Sequence, residues 1–256
     1  MAQWWTEYFS KMYGDLYQGP LAPELSTAEE VETLARLFAD AQGPVLDVGC
    51  GHGRHLAGLR KSGVDCIGID YSMELLALTP KRARKSLIRG KMQTLPFRSA
   101  SLSGAYMLFN TFGYFADDEN AATLLELART LRKGATLVLD IPARAGMKRA
   151  VAELPSSMRC QDDVSIIESW TIDDSEKRLL ARGRWDVKGE KQDWEMSLRL
   201  YTPAEIRRLL KKAGFGGEIE VRPLEDFEIL GSDEAPPGDG DSLWRSTTNM
   251  VVRAVR

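Results

Sequence analysis

Residues 45–55, VLDVGCGHGRH, restrict the fold more than any other stretch of the chain. Val45–Val48 reads as a short apolar strand. Gly49, Gly51 and Gly53 follow at alternate positions, and a helical pattern runs over 54–62. A turn without side chains lets the backbone approach a ligand closely, and the helix behind it presents free N–H groups and the positive end of its dipole. The spacing is G-x-G-x-G, which departs from the G-x-G-x-x-G turn suited to a dinucleotide pyrophosphate. Asp47, inside the strand, is expected to anchor the N–H groups of the turn and to face a ligand ammonium. Asp70 ends the next strand in GIDYS, where a carboxylate can accept hydrogen bonds from both hydroxyls of a ribose.

Strand and helix continue to alternate: a strand at 65–69, a helix at 72–78, a poorly marked third strand at 87–88, a fourth at 102–109, a helix at 117–131 and a fifth strand at 135–141. Such alternation predicts right-handed crossovers and a parallel sheet covered on both faces. The pattern then changes. Residues 164–171, 179–187 and 194–201 read as three strands joined by polar turns at Asp173-Asp174-Ser175-Glu176 and Lys188-Gly189-Glu190, an antiparallel meander. Thr202-Pro203 opens a helix that reaches Lys212 and stops at Gly214. Residues 219–221 and 250–255 complete seven strands, and the Gly/Pro/Asp-rich stretch 231–241 reads as a loop.

Two helices precede this alternation. The second, over 28–41, takes Ser26 or Thr27 as its cap and carries acidic residues in its first turn. The first is an aromatic stripe (Trp4, Trp5, Tyr8, Phe9, Met12, Tyr13, Leu16, Tyr17) at helical spacing, stopped by Gly19-Pro20. It suits core packing, or a lid in which each tyrosine offers an apolar body and a polar tip. The expected fold is therefore α/β: a Rossmann-like, seven-stranded, mostly parallel sheet with helices on both faces. One domain covers 1–256, with an N-terminal aromatic lid helix at 1–20 and an antiparallel β insertion at 160–201.

Charge and composition narrow the function. A formal net charge of -3 argues against a surface that grips nucleic acid throughout. A local basic stretch (Lys81, Arg82, Arg84, Lys85, Arg89, Lys91) reads first as a solvated helix face and loop, and second as a site for an anionic substrate or RNA backbone. No apolar run approaches the roughly 18 residues of a membrane span. Nor does the chain open on a basic segment followed by an apolar core. Cys50, Cys66 and Cys160 form no metal-like pair, so no metal site is expected, and reduced thiols in a cytoplasmic protein are.

From about Leu46 to Ile141 the chain resembles class I S-adenosylmethionine-dependent methyltransferases. The carrying residues are VLDVGCGHG, the acidic Asp70 after the second strand, and GKMQTLPF at 90–97. The resemblance implies S-adenosyl-L-methionine as cofactor, with Gly49, Gly51 and Gly53 wrapping its methionine moiety and Asp70 holding its ribose. Lys91 stands where many members carry Asp, which leaves Met92 and Gln93 to meet the adenine. The full set of implied cofactor contacts is Asp47, Gly49, Cys50, Gly51, Gly53, Arg54, Asp70, Tyr71, Met92, Gln93, Phe109 and Tyr13. LFNTFGYF after the fourth strand, the aromatic first helix, and Arg199, Tyr201, Thr202 and Glu205 in an RxYTxxE-like run resemble a small-molecule-methylating subset.

Methyl transfer from a sulfonium runs largely on approximation and orientation, and a general base is optional. His52 and His55, the two histidines, are better placed to support the turn than to act as bases, and Arg54 is assigned to the cofactor carboxylate or Asp47. Cys50 reads as small packing in the turn rather than as a nucleophile. Tyr114 and Asn110 are the candidate catalytic residues, and Phe112 joins them on the expected acceptor side, because the carboxyl edge of a parallel sheet faces the ligand crevice. Asn110 lacks the Pro-Pro-aromatic run of amino-methylating DNA enzymes, and no Pro-Cys pair follows the fourth strand. The expected partner is thus a small-molecule acceptor methylated at N, O or C, with a homodimer through the meander as an option. RNA or protein methylation and a non-catalytic cofactor-binding scaffold are the alternatives.

Overall fold

A computed structural model describes residues 4–9, 13–14, 16, 27–223 and 248–256. The alternation read from the sequence becomes β1 (Val45–Val48), α3 (Arg54–Lys61), β2 (Cys66–Asp70), α4 (Met73–Leu78), β3 (Leu87–Arg89), β4 (Leu102–Met107), α5 (Asp117–Thr130) and β5 (Leu131–Pro142). Ahead of it lie α1 (Trp4–Tyr8) and α2 (Thr27–Leu37). Beyond it lie α6 (Arg144–Glu153), β6 (Ser156–Gln161), β7 (Val164–Asp173), β8 (Arg178–Val187), β9 (Glu190–Arg199), α7 (Pro203–Ala213), β10 (Ile219–Pro223) and β11 (Asn249–Val255).

The main sheet has seven strands in the order β10-β11-β5-β4-β1-β2-β3. β1 pairs in parallel with both β2 and β4, and β2 with β3, while β11 lies antiparallel to β5 and β10. The order reverses at β1, so the crevice beyond the carboxyl ends of β1, β2 and β4 is where a ligand is received. Period-two alternation splits the strand side chains between two cores. Leu46 and Val48 pack with Leu124 and Leu127 of α5 and with Ile206 and Leu210 of α7. Val45 points the other way, to Leu34 of α2 and Leu56 and Leu59 of α3.

The insertion is a second sheet, β6-β7-β8-β9, all antiparallel. Its tight turn pairs Val187 with Glu190 across Lys188 and Gly189, both at positive φ (54° and 84°), the primed geometry that matches strand twist. In the other turn Asp173 Oδ1 accepts hydrogen bonds from the backbone N–H groups of Ser175 and Glu176. Four strands replace the three expected, because β6, SSMRCQ, joins the edge. It lies mostly in solvent and carries no apolar alternation to reveal it.

Further differences are local. α2 ends at Leu37, short of the expected Ala41. β4 stops at Met107, because Phe109 and Asn110 are left-handed (φ 57° and 58°) and cannot extend a strand. The N-terminal helix is described over Trp4–Tyr8, with Tyr13, Gly14 and Leu16 also helical. Met12, Tyr17, Gly19-Pro20, Ser26 and the 231–241 loop lie outside the described residues. Among those described, no helix is long and apolar enough to cross a membrane.

Candidate active site

One cavity of about 330 Å³ opens at the carboxyl edge of β1, β2 and β4. Its floor is the glycine turn. Gly49, Gly51 and Gly53 take left-handed φ values of 71°, 53° and 71°, which L side chains adopt only at a cost. A Cβ on Gly49 would stand 2.4 Å from Thr111 Cγ2, so this glycine is fixed by close approach of the strand ends. A Cβ on Gly51 would meet nothing nearer than 3.9 Å, so here the backbone faces open cavity.

The carboxylate assignments divide. Asp70 Oδ2 accepts the Gly51 N–H (2.7 Å) and Oδ1 the Ser72 N–H (2.8 Å), which ties the turn to the start of α4 and leaves further lone pairs toward the cavity. Burial raises the Asp70 carboxyl, opposed by hydrogen bonds from the backbone of Ser72, Gly51 and Tyr71. Asp47 does not anchor the turn. The N–H groups of Gly49 and Cys50 go to Ile69 O, and that of Gly53 to Cys50 O. Asp47 Oδ2 is instead buried without a hydrogen-bond partner. Burial pushes its carboxyl up to about 7, against the lowering effects of the Tyr106 hydroxyl and Arg54. A buried acid with an unfilled acceptor on a cavity wall fits a cationic ligand group.

Arg54 lines the cavity between two groups: its Nη1 donates to Thr27 Oγ1 (2.6 Å) and Glu30 Oε2 (2.8 Å), and its guanidinium lies 4.0 Å from the Phe109 ring centre. His55 Nε2 shares the same Glu30 oxygen at 2.8 Å, a buried structural contact. His52 stands on the cavity wall, where burial, then Arg54, lowers its pKa and keeps the imidazole neutral at pH 7. The Cys50 thiol is buried, and burial raises it well above its ordinary range. A Cβ on Gly68 would stand 2.7 Å from that sulfur. Cys50 therefore packs the turn against β2.

Tyr71, Gly90, Lys91, Met92 and Gln93 line one end of the cavity. Trp5 meets the Tyr71 ring edge-on (4.8 Å), and the Lys91 ammonium lies 5.8 Å from it. Of the basic stretch, Arg84 donates to the carbonyls of Thr79 and Ala77 and Arg89 to that of Tyr71, which ties the connection down locally.

Phe109, Asn110 and Tyr114 line the cavity; Phe112 does not. It is buried and stacked on Tyr201 (5.5 Å), because the left-handed residues after β4 turn the chain and send its side chain into the core. Asp140 organises this bend, accepting Phe109 N–H (3.1 Å) on Oδ2 and Asn249 Nδ2 (2.6 Å) on Oδ1, while Asn249 Nδ2 also reaches Asn110 Oδ1 (2.7 Å). Phe9, Tyr13 and Tyr8 close one side, with Phe9 5.5 Å from Tyr114 and Tyr8 5.1 Å from both Trp185 and Trp194.

Sequence reasoning missed Arg178. Buried on β8, it donates to Ser197 Oγ (2.6 Å) and to the carbonyls of Phe115 (3.0 Å), Tyr114 (3.2 Å) and Ser197 (2.9 Å). It binds the Tyr114 loop to the insertion. The Arg199–Glu205 run is structural too. Thr202 and Glu205 form a capping box on α7, Glu205 pairs with Arg144, and Arg199 pairs with Asp117 (3.0 Å) and covers Tyr201 (4.8 Å).

Residues 45–134 match the family described as "Methyltransferase domain". No curated protein matches the chain. Solved structures do. The CcbJ methyltransferase from Streptomyces caelestis is 21% identical, with a TM-score of 0.72 over 96% of this chain and 97% of that one. An S-adenosylmethionine-dependent methyltransferase from Clostridium acetobutylicum ATCC 824 is 13% identical, TM-score 0.73, over 95% and 97%. CalS10, an amino pentose methyltransferase from Micromonospora echinaspora solved with its S-adenosylmethionine, is 18% identical, TM-score 0.63, over 95% and 96%. At these identities the likeness shows a shared fold. The family match covers residues 45–134, the stretch that holds the glycine turn, Asp70 and the strands of the cavity floor.

Proposed function

We propose that the chain transfers a methyl group from S-adenosylmethionine to a small-molecule acceptor at N, O or C. The observation that carries this reading is the single cavity shared by the glycine turn and the Tyr114 loop, with Asp47 Oδ2 unfilled on its wall. The residues present fit the cofactor. Gly51 leaves the room that the methionine moiety needs, Asp47 suits its ammonium, and Asp70 keeps lone pairs for the ribose hydroxyls. Tyr71, Met92 and Gln93 would flank the adenine, and Phe109, Arg54, Cys50 and Tyr13 complete the wall.

When bound, the cofactor supplies an electrophilic methyl carbon: the acceptor's lone pair bonds to it, the carbon–sulfur pair returns to sulfur, and an N–H or O–H acceptor gives up one proton to water. The chain's part is orientation and exclusion of water. Tyr114 and Asn110 stand at the acceptor side, and the insertion with the N-terminal aromatic segment forms the cover. Neutral His52 stands at the turn, where it would not repel a sulfonium. The neighbouring amino pentose methyltransferase supports a small acceptor. Three free cysteines, two of them buried, support a reducing, cytoplasmic setting.

The test is transfer of labelled methyl from S-adenosylmethionine to a panel of small amines, phenols and amino sugars, run beside total RNA and a protein lysate. Label in the small-molecule fraction is the expected result. Label confined to RNA or protein would replace the acceptor assignment.

A further inference from the structure

Charge is distributed unevenly around the cavity. Among the described residues its carboxylates are Asp47 and Asp70, and its cations Arg54 and Lys91, all beside the glycine turn or the Tyr71 end. The opposite end is built from Tyr114, Met147 of α6, Trp170 of β7, Leu179 of β8 and Met196 and Leu198 of β9. None of these six ionises near pH 7. Met147, Leu179 and Leu198 belong to one buried apolar cluster, against which Tyr114, Trp170 and Met196 pack.

A sugar phosphate or carboxylate placed against this wall would lose its hydration with no cation among these six to replace it. A flat uncharged ring would instead gain from aromatic and thioether contact. Arg178 holds the Tyr114 loop to β8 from behind, so the loop and the insertion form one wall rather than two independent surfaces. We propose that this end of the cavity recognises an uncharged aromatic ring, one that carries the phenolic oxygen or aryl nitrogen to be methylated. The inference rests on the cofactor occupying the glycine-turn end, as under Proposed function.

The experiment keeps the two claims separate. S-adenosylhomocysteine is titrated into the full chain by calorimetry, and 2-naphthol and glucosamine 6-phosphate are then titrated into the protein with and without it. The expected result is saturable 2-naphthol binding, at least tenfold tighter than that of the sugar phosphate. Trp170→Ala should weaken 2-naphthol at least tenfold and leave S-adenosylhomocysteine affinity within twofold. Should that variant fail to fold, Met196→Glu supplies the same reading from a half-buried position. S-adenosylhomocysteine binding with no 2-naphthol binding, or with the sugar phosphate preferred, overturns this inference and leaves the methyltransferase reading intact. Failure of S-adenosylhomocysteine to bind overturns that reading and this one with it.

Discussion

Replacing Asp47 by Asn isolates the electrostatics of the cavity floor. The carboxyl is buried, its Oδ2 is unfilled, and its pKa is raised from 3.8 to about 7, chiefly by burial. The unfolded chain releases this proton near pH 4, whereas the folded chain keeps it to about 7. Between those values the folded state binds the extra proton, so its stability falls as pH rises. At roughly 1.4 kcal/mol per pH unit the full displacement costs about 4 kcal/mol, and relaxation around the carboxylate reduces it to about 2–4 kcal/mol. Asn is close in shape and carries no charge, so the variant escapes the cost. Urea unfolding of both proteins from pH 5 to pH 8 reads the difference. Asp47→Asn should gain on the wild type as pH rises, reaching an advantage of about 2–4 kcal/mol at pH 8. Asp70 is also raised by burial, which is why the pair of curves decides the matter rather than the wild-type curve alone. Parallel curves would refute the reasoning. With S-adenosylmethionine present the order should invert at pH 8, since the ionised carboxylate would then meet an ammonium.

Other substitutions probe the turn and its supports. Gly49→Ala should cost about 2–4 kcal/mol, because its Cβ would enter Thr111 at a left-handed φ, whereas Gly51→Ala should cost only about 1 kcal/mol and still weaken S-adenosylhomocysteine at least tenfold; equal stability losses in thermal melts would contradict the distinction. Arg178→Met should lower stability by about 2–4 kcal/mol, since the carbonyls of Tyr114, Phe115 and Ser197 lose their donor. An unshifted melting temperature would remove Arg178 from this role. Glu205 is raised by partial burial yet held lower overall, at about 2, by Arg144 and Thr202. Its contribution of about 2–3 kcal/mol is therefore present above pH 4.5 and lost as pH falls toward 2. Glu205→Gln should flatten the acid limb of the stability curve, and an unchanged limb would argue against the ion pair.

Local chemistry was readable in the sequence; distant partnership was not. The glycine turn, the Lys188-Gly189 hairpin and the Thr202-Pro203 opening of α7 each depend on residues a few positions apart, so spacing reveals them. Phe112 was misplaced because its direction follows from the left-handed Phe109 and Asn110, and those φ values are enforced by Asp140 and Asn249 far along the chain. Arg178 was invisible for the same reason, since Tyr114 and Phe115 are brought to it only when the insertion folds over the sheet. Of the two roles expected of Asp47, holding the turn's N–H groups is the one the structure does not bear out. The turn's amides were free to pair with Ile69 O instead, which leaves the carboxylate for a ligand. β6 escaped because an exposed edge strand has no buried face to imprint a period.

The central claim, that the glycine-turn end of the cavity holds S-adenosylmethionine, is tested most directly by calorimetric titration of the cofactor into the wild type and Asp70→Ala. The account predicts a single saturable site in the wild type, weakened by about 1–3 kcal/mol in the variant as the ribose hydroxyls lose their acceptor. No heat of binding in the wild type, or equal affinity in the two proteins, would contradict it.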